Sequence, residues 1–307
     1  MSLYNQHSQP QAAAAAQGFF SLERAAREVP LPGDALRVVD LACHEGGNSL
    51  EPMRRVLAEL RCRTPGLPVE VTHTDLPGND FRPVLEMTRS YLGPGVFASV
   101  RAGSFYEPLF PPGTVDLMWC SSATHWLSRV PGPRTVEAWP LWQEQARADW
   151  QRWVDCRAEE LRPGGQVVMV GFGLGPTGTT GAEWISSMVQ ETLAEVVPKR
   201  RRSALVMPVY YRTLWEWLVP LGRGLALAEV QEPEMPEPLW EDLQASGDVE
   251  AYADQVADFI RAALHQPQLS LGRTGARLRE RLRARVLAEP DKARCRWWLV
   301  VLRLVKR

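Results

Sequence analysis

Arg37-Val38-Val39-Asp40-Leu41-Ala42, followed by Cys43-His44-Glu45-Gly46-Gly47-Asn48, decides the fold of this 307-residue chain. A short apolar run ends in a polar, glycine-containing turn. Leu50, Met53, Val56, Leu57 and Leu60 then recur at spacings of three and four, as one face of a helix does. Strand, loop and helix in that order form the opening unit of a doubly wound α/β sheet. Val69–Thr74 reads as a second strand, stopped by Asp75-Leu76-Pro77-Gly78-Asn79. Thr114–Cys120 reads as a further buried strand. The helical stretch Trp142–Leu161 is ended by Arg162-Pro163-Gly164-Gly165, and Gln166–Gly171 is the strand after it. The alternation predicts mostly parallel strands with right-handed crossover helices.

From about Pro176 the pattern changes. Residues 182–197 and 248–264 read as helices, separated by Pro-rich connections such as Glu232-Pro233-Glu234-Met235-Pro236-Glu237-Pro238. Strands return at Ala226–Gln231 and Cys295–Val305. The expected layout is a sheet core over 1–175 that includes an N-terminal lid segment, with a helical cap over 176–225 and 233–290. The core strands at 226–232 and 291–307 are distant in sequence from the rest. Ala12–Ala16 is the single low-complexity tract, and no internal repeat is evident.

Composition narrows the function classes. Hydrophobic residues at 45% supply ample material for a core and exclude a disordered chain. Lys plus Arg total 35 against 36 Asp plus Glu, a balance that argues against a protein built to coat nucleic acid. No apolar run of about 18 residues is present, so no membrane span is expected. The first twenty residues carry no Lys or Arg, so no secretory leader is expected either. Five cysteines, widely spaced and without a C-x-x-C pair, point to a reducing, cytoplasmic setting rather than to a disulfide framework or zinc ribbon. Twelve tryptophans suggest large pockets and interfaces. Residues 261–307 hold 13 Lys or Arg against 3 Asp or Glu. Arg277, Arg279, Arg281, Arg283 and Arg285, spaced by two, would spread around a helix, which reads as solvated or dimer-facing. Lys199-Arg200-Arg201-Arg202 reads as an exposed loop.

The chemistry-bearing candidates gather at strand ends. The Gly46-Gly47 turn lets backbone approach a ligand at a helix N-terminus, yet it is not the G-x-G-x-x-G of a nicotinamide dehydrogenase. Asp40 and Asp75 stand where carboxylates can accept from an ammonium or a ribose diol, or simply cap a turn. Ser104 and Phe105 follow Gly103 at a further strand end, where a ring can stack on a flat heterocycle. His44 and Glu45 read as surface residues without a third metal ligand beside them.

Several of these stretches are similar, in register, to one family. Asp75-Leu76-Pro77-Gly78-Asn79-Asp80-Phe81, Gly103-Ser104-Phe105-Tyr106 and Leu109-Phe110-Pro111 resemble central blocks of the SABATH methyltransferases, the plant salicylate, benzoate, jasmonate and theobromine type. So do Ser121-Ser122 through Trp126-Leu127-Ser128-Arg129-Val130-Pro131, and Arg157-Ala158-Glu159-Glu160-Leu161-Arg162-Pro163-Gly164-Gly165. Tyr4, Ser8 and Gln11 keep the family's N-terminal spacing. The resemblance is strong over about residues 4–171 and looser beyond, where Trp184 and the closing strand still fit.

The resemblance implies a Rossmann-like class I methyltransferase sheet with an inserted α-helical cap, and S-adenosyl-L-methionine as cofactor. Asp40 and Asn48 would hold its methionine end, helped by Ser8 and Tyr4. Asp75 and Leu76 would take the ribose and flank the adenine, and Ser104 and Phe105 would contact the adenine. Gln11 and Trp126 would hydrogen-bond a substrate carboxylate, and Trp184 would line the pocket with Tyr210 or its neighbour Tyr211. His125, beside Trp126, is either a structural histidine or a donor to substrate. A carboxylic acid with a pKa near 4 is already ionised at neutral pH, so the missing catalytic base is expected. The implied product is the methyl ester of a small, mostly apolar carboxylic acid, and the implied assembly is a homodimer. N-methylation of a purine-like ring and a silent S-adenosyl-ligand binder are the alternatives. Three departures stand out. Ala42 replaces a usual glycine and is expected to be tolerated; Ser121–Trp126 is one residue shorter and lacks an aromatic; the interval 178–290 is trimmed.

Overall fold

The computed structural model describes residues 8–198, 206–222, 224–264 and 272–307, so Tyr4 and the Lys199–Arg202 tetrad lie outside the described residues. Within them β1 (Leu36–Leu41), β2 (Val69–Asp75), β3 (Val96–Ala102), β4 (Val115–Ser121), β5 (Leu161–Gly173), β6 (Leu225–Gln231) and β7 (Trp298–Lys306) form one sheet. Its order is β3-β2-β1-β4-β5-β7-β6. β1 to β5 run parallel, and β7 is antiparallel to both β5 and β6. Strand order reverses between β1 and β4, which opens a crevice at their carboxyl ends, the usual ligand position in such sheets.

The sequence reading and the structure differ in places with clear physical reasons. β3 is an edge strand with Phe97 exposed, so it lacks the apolar run that marks β1 and β4. β5 begins at Leu161 rather than after Gly165, because the Arg162–Gly165 stretch is a register irregularity against β4 and not a break. The closing strand starts at Trp298, three residues later than read.

Two apolar layers sandwich the sheet. On one face α2 (Phe19–Glu28) and α3 (Leu50–Arg63) bring Leu22, Val56 and Leu60 against Val38, Val71 and Trp119. On the other, α5 (Trp139–Glu160) and α7 (Leu214–Leu218) bring Trp150, Trp153 and Trp217 against Val39, Met118 and Met169. Trp119, Trp142, Trp150, Trp153 and Trp217 are all fully buried, so much of the tryptophan content is core rather than pocket. Trp150 stacks on Trp153 at 4.8 Å and meets Trp217 edge-on at 4.7 Å. The Ala-rich N-terminal tract is also structured: α1 (Gln9–Ala16) buries Pro10, Ala14 and Ala15.

The remaining helices, α6 (Glu183–Val196), α8 (Pro238–Ser246), α9 (Val249–Leu264) and α10 (Gly272–Ala288), share a separate apolar cluster that includes Ile185, Leu239, Val256 and Leu282. Arg277 and Arg281 are exposed, in keeping with a solvated helix face, whereas Arg279, Arg283 and Arg285 depart from the solvated or dimer-facing expectation. Arg279 reaches Asp254 at 2.6 Å and Asp258 at 2.7 Å. Arg283 pairs with Glu250 and Asp254, and Arg285 with Glu191 and Glu195. The positive charge of α10 therefore faces acidic stripes on α9 and α6.

A buried ion pair fixes the segment after β3. Arg157 and Glu160, 0% and 1% exposed, form a bidentate pair at 2.7 and 2.8 Å. Arg157 also donates to the Phe105 and Glu107 carbonyls, and Glu160 Oε1 accepts from the Leu109 and Phe110 N–H groups. Every polar atom of this pair has a partner, which is the condition under which such burial is tolerated.

The turn after β1 is held in left-handed backbone. Ala42, His44 and Gly46 have φ of 59°, 50° and 87°. An added Cβ at Gly46 would lie 2.5 Å from Val84 Cβ. Ala42 is accommodated, but at a left-handed position that costs an L-residue roughly 1–2 kcal/mol.

Two stability measurements follow from these contacts. Arg157→Met is expected to destabilise by about 3–5 kcal/mol in urea titration, because Glu160 is left unpaired. The Arg157→Met/Glu160→Leu double variant is expected to recover much of that loss; additive losses would contradict the assignment. Ala42→Gly is expected to stabilise by up to about 1 kcal/mol, relief of strain exceeding the added chain entropy. Gly46→Ala should cost more than about 2 kcal/mol. A lower urea midpoint for Ala42→Gly would show that the turn is not strained there.

Candidate active site

The carboxyl edge of the parallel strands gathers the expected cofactor residues. Asp40 ends β1 and is buried; its Oδ2 lies 2.9 Å from His73 Nδ1. His73 Nε2 lies 2.8 Å from Thr88 Oγ1, and that hydroxyl donates its proton to the Val84 carbonyl. The Thr88 oxygen can then only accept, so His73 Nε2 carries a proton. The other ring nitrogen, Nδ1, faces the Asp40 carboxylate, so Asp40, His73 and Thr88 form one buried hydrogen-bonded chain. His73 and Thr88 are absent from the sequence reading: a lone histidine in a strand and a threonine in α4 (Arg82–Tyr91) carry no local signal. Cys43 lies with Asp40 and His73 in a trio whose ligand atoms are within 4.8 Å. Both histidine nitrogens are engaged, however, and burial pushes the Cys43 thiol up, away from the thiolate a metal would need.

Asp75, at the end of β2, accepts from the His44 N–H through Oδ2 and from the Leu76 N–H through Oδ1, each at 2.7 Å. Burial nevertheless holds its pKa above the usual carboxylate range. Each oxygen keeps a lone pair for a ligand. Asn79 Nδ2 donates to the His44 carbonyl at 2.6 Å, so the turn is clamped from both sides. His44 and Glu45 are half-buried rather than on the surface, a consequence of this clamp. Asn48 Nδ2 reaches the carbonyl of the buried Ser8 at 3.5 Å, linking the turn to the start of α1. Leu76 is exposed, Ser104 Oγ accepts from the Tyr106 N–H, and the half-buried Phe105 ring lies 4.6 Å from Tyr106. Carboxylates with spare lone pairs, an exposed leucine and an accessible ring around a tight turn suit a nucleoside with a charged tail.

The second half of the site is the segment after β4. Ser122 has φ of 56° and donates its N–H to the Val170 carbonyl. Trp126 is fixed through its backbone: its N–H goes to Ala123, and its carbonyl accepts from Tyr106 Oη at 2.6 Å. The indole is half-buried. Beneath it lies Arg212, 1% exposed, which donates to the Thr124 carbonyl at 2.7 Å and the Ala146 carbonyl at 2.8 Å. Its guanidinium sits 4.9 Å over Trp217. His125 stacks on Tyr211 at 5.9 Å and meets Phe172 edge-on at 5.1 Å. Trp297 completes the cage, 5.2 Å from Phe172 and 5.6 Å from Tyr211. Burial, with the Arg212 charge adding to it, pushes the His125 pKa down to about 3, so its imidazole is neutral. Gln11 Oε1 is buried without a partner among the described residues.

Tyr210 and Tyr211 separate by a simple rule. The stretch pairs with Trp126 through Val209 and with Gly173 through Arg212, so it runs extended and its side chains alternate. Tyr210 and Arg212 face α5, where Tyr210 stacks on Trp139 at 5.4 Å and donates to Glu216 at 2.7 Å. Tyr211 faces His125. The structure thus brings Gln11's helix, Trp126, His125 and Tyr211 to one site and directs Tyr210 away from it. Trp184 packs at the edge of the cap cluster. Arg212, Phe172 and Trp297 have no place in the sequence reading; the adjacent Trp297-Trp298 pair was the available signal for the last.

Comparison with known proteins agrees with this geometry. The family described as SAM dependent carboxyl methyltransferase matches residues 2–267. O-methyltransferase acrG of Aspergillus aculeatus is 27% identical over 260 residues, 74% of this chain and 69% of that protein. Indole-3-acetate O-methyltransferase 1 of Arabidopsis thaliana is 27% identical over 274 residues, 70% of this chain and 68% of that protein. Gibberellic acid methyltransferase 2 of the same plant is 30% identical, but over only 47% of this chain and 45% of its own length. The solved structure of loganic acid methyltransferase with SAH shares the fold at a TM-score of 0.79 and 18% identity, covering 99% of this chain and 96% of that one. A carboxyl-edge nucleoside site, a cap and a match across most of the sequence lead to one conclusion: the chain belongs to the carboxyl methyltransferase family whose cofactor is S-adenosyl-L-methionine.

Proposed function

We propose that this protein converts a small, mostly apolar carboxylic acid into its methyl ester, with no general base. The observation that carries this reading is the charge state of the acceptor site. Its candidate donors, Gln11, Trp126 and His125, are all neutral; the buried Arg212 is occupied by the Thr124 and Ala146 carbonyls, and a second cation, Arg134, lies in the field of Tyr211 and donates to the Val209 carbonyl at 3.1 Å. A carboxylate placed there is oriented and sits in a positive field, yet it is not locked in a bidentate pair that would quench its nucleophilicity. The Phe172, Tyr211 and Trp297 rings supply the apolar surface for the rest of the acid.

Asp40 and Asn48, with Ser8 and Tyr4, are assigned to the methionine end of the cofactor, Asp75 and Leu76 to the ribose and adenine, and Ser104 and Phe105 to the adenine. Gln11, Trp126 and His125 hold the substrate carboxylate, Trp184 lines the pocket, and Tyr211 takes the place first given to Tyr210. S-Adenosyl-L-methionine supplies a sulfonium methyl; the carboxylate oxygen forms the new O–C bond as the C–S bond breaks onto sulfur, and no proton moves. Positioning is then the main catalytic resource, worth up to about 7–11 kcal/mol in favourable cases. Free cysteines at all five positions, four of them buried, support a reducing, cytoplasmic setting. No helix among the described residues is long and apolar enough to cross a membrane. Exposed Val136, Leu141, Trp215 and Val219 support a homodimer.

Labelled S-adenosyl-L-methionine offered with small carboxylic acids, their carboxamides and xanthines tests the reading. The expected result is label in a base-labile ester from acids alone. Gln11→Ala and Trp126→Phe should each lower kcat/KM by about 10-fold to 100-fold, with cofactor binding unchanged, as expected for lost positioning. Label on a xanthine nitrogen would replace the reading with N-methylation. Cofactor binding without transfer to any acid would favour a silent binder.

A further inference from the structure

Trp297 also lines a second recess, together with Pro10, Ile185, Met235, Glu237 and Phe259, among other apolar residues. Its walls belong to the same elements as the acceptor site: Pro10 is next to Gln11, Ile185 next to Trp184, and Trp297 is shared by both. About 20 Å³ is open to the centre of a water-sized group, enough for one such group.

Glu237 is the polar residue in this lining, and its position is built rather than incidental. Prolines 236 and 238 flank it, and the Met235 N–H is bonded to the Trp297 carbonyl at 2.7 Å. An acid at the start of a helix ordinarily caps it, but Glu237 makes no capping hydrogen bond to α8. It accepts instead from the Cys295 N–H, and its Oε2 is buried without a partner among the described residues. Burial outweighs that bond and the Arg294 charge, and pushes the carboxyl up to about 7. Tyr252, 1% exposed and within the field of Glu237, likewise has a buried hydroxyl without a partner among the described residues. Glu237 lines the recess and Tyr252 stands in its field outside that lining, so an unpartnered carboxylate oxygen in an otherwise apolar wall points to a ligand group.

We propose that this recess is the far end of the acceptor pocket, and that Glu237, supported by Tyr252, recognises a hydroxyl on the tail of the acid being methylated. The inference rests on the carboxyl reading above and names its substrate class: hydroxy acids, bound by the carboxylate at Gln11 and Trp126 and by the hydroxyl at Glu237. A hydroxyl both donates and accepts, so it pairs with either protonation state of Glu237. A site built to bond a hydroxyl rejects the analogue without one, because its buried polar groups are then left unpaired.

Matched pairs test this: benzoate and para-hydroxybenzoate, 3-phenylpropionate and its para-hydroxy form, octanoate and ω-hydroxyoctanoate. Ester formation is measured for wild type, Glu237→Leu, Glu237→Gln and Tyr252→Phe. For at least one pair the wild type is expected to prefer the hydroxy acid by 10-fold or more in kcat/KM. Glu237→Leu should remove or reverse that preference, read as the ratio of the two kcat/KM values, and Glu237→Gln should retain part of it. Equal use of both members of every pair overturns the proposal. So does a Glu237→Leu loss that falls equally on both acids, which would make Glu237 structural. If unsubstituted acids are esterified without any hydroxyl preference, the carboxyl reading stands and this one falls; if no acid is esterified, both fall.

Discussion

The acceptor half of this molecule depends on one buried cation. Arg212 reaches the Thr124 carbonyl, the Ala146 carbonyl and the face of Trp217, and so ties together the segment after β4, the middle of α5, and α7. A guanidinium is always charged and its planar fork suits several acceptors at once. Without it the Thr124 carbonyl would lose its buried donor, and the Ser121–Trp126 segment would depend on its Val170, Tyr106 and Tyr210 bonds. Its charge also adds to the burial that keeps His125 neutral. A positive field from a guanidinium already occupied by backbone carbonyls is a suitable setting for an anion that must be held and must still react.

The cofactor half follows a different logic, in which backbone geometry is fixed by carboxylates. Asp75 and Asn79 clamp the N–H and carbonyl of His44, and Gly46 leaves no room for a side chain against Val84. The buried Asp40–His73 pair, anchored on Thr88, sits beneath that turn. Arg157 and Glu160 do the same for the loop carrying Ser104 and Phe105. In each case a buried ionic or polar group, hydrogen-bonded to backbone or to a side chain, defines where a loop lies.

Much of the fold was legible because β1, β4 and the crossover helices carry strong local patterns: apolar runs of strand length, and three-four spacing after the Gly46-Gly47 turn. Asp40, Asp75 and Ser104 were legible as residues just past strand ends. The remainder depends on tertiary partners far away in sequence. Whether Tyr210 or Tyr211 faces the site is set by the register of the 209–212 stretch against Trp126 and Gly173, which no local signal encodes. Arg212 carries no signal in the sequence, because its carbonyl partners lie 66 and 88 residues away. The arginines of α10 looked solvated because their acids lie on two other helices.

The central claim is that methyl transfer here needs no titrating side chain, and a pH–rate profile tests it most directly. The measurement is kcat/KM for an unsubstituted acid such as 3-phenylpropionate, at saturating S-adenosyl-L-methionine. The expected profile is flat from about pH 6 to 9 and falls only below about pH 5, as the acid itself becomes protonated. His125, with its pKa held near 3, contributes no inflection in that range. A limb with an apparent pKa between 6 and 8 that persists in Glu237→Leu, which removes the one pocket carboxyl pushed up to about 7, and that appears in kcat as well, would contradict the account, because it would show that a side chain of the protein must gain or lose a proton for the methyl group to move.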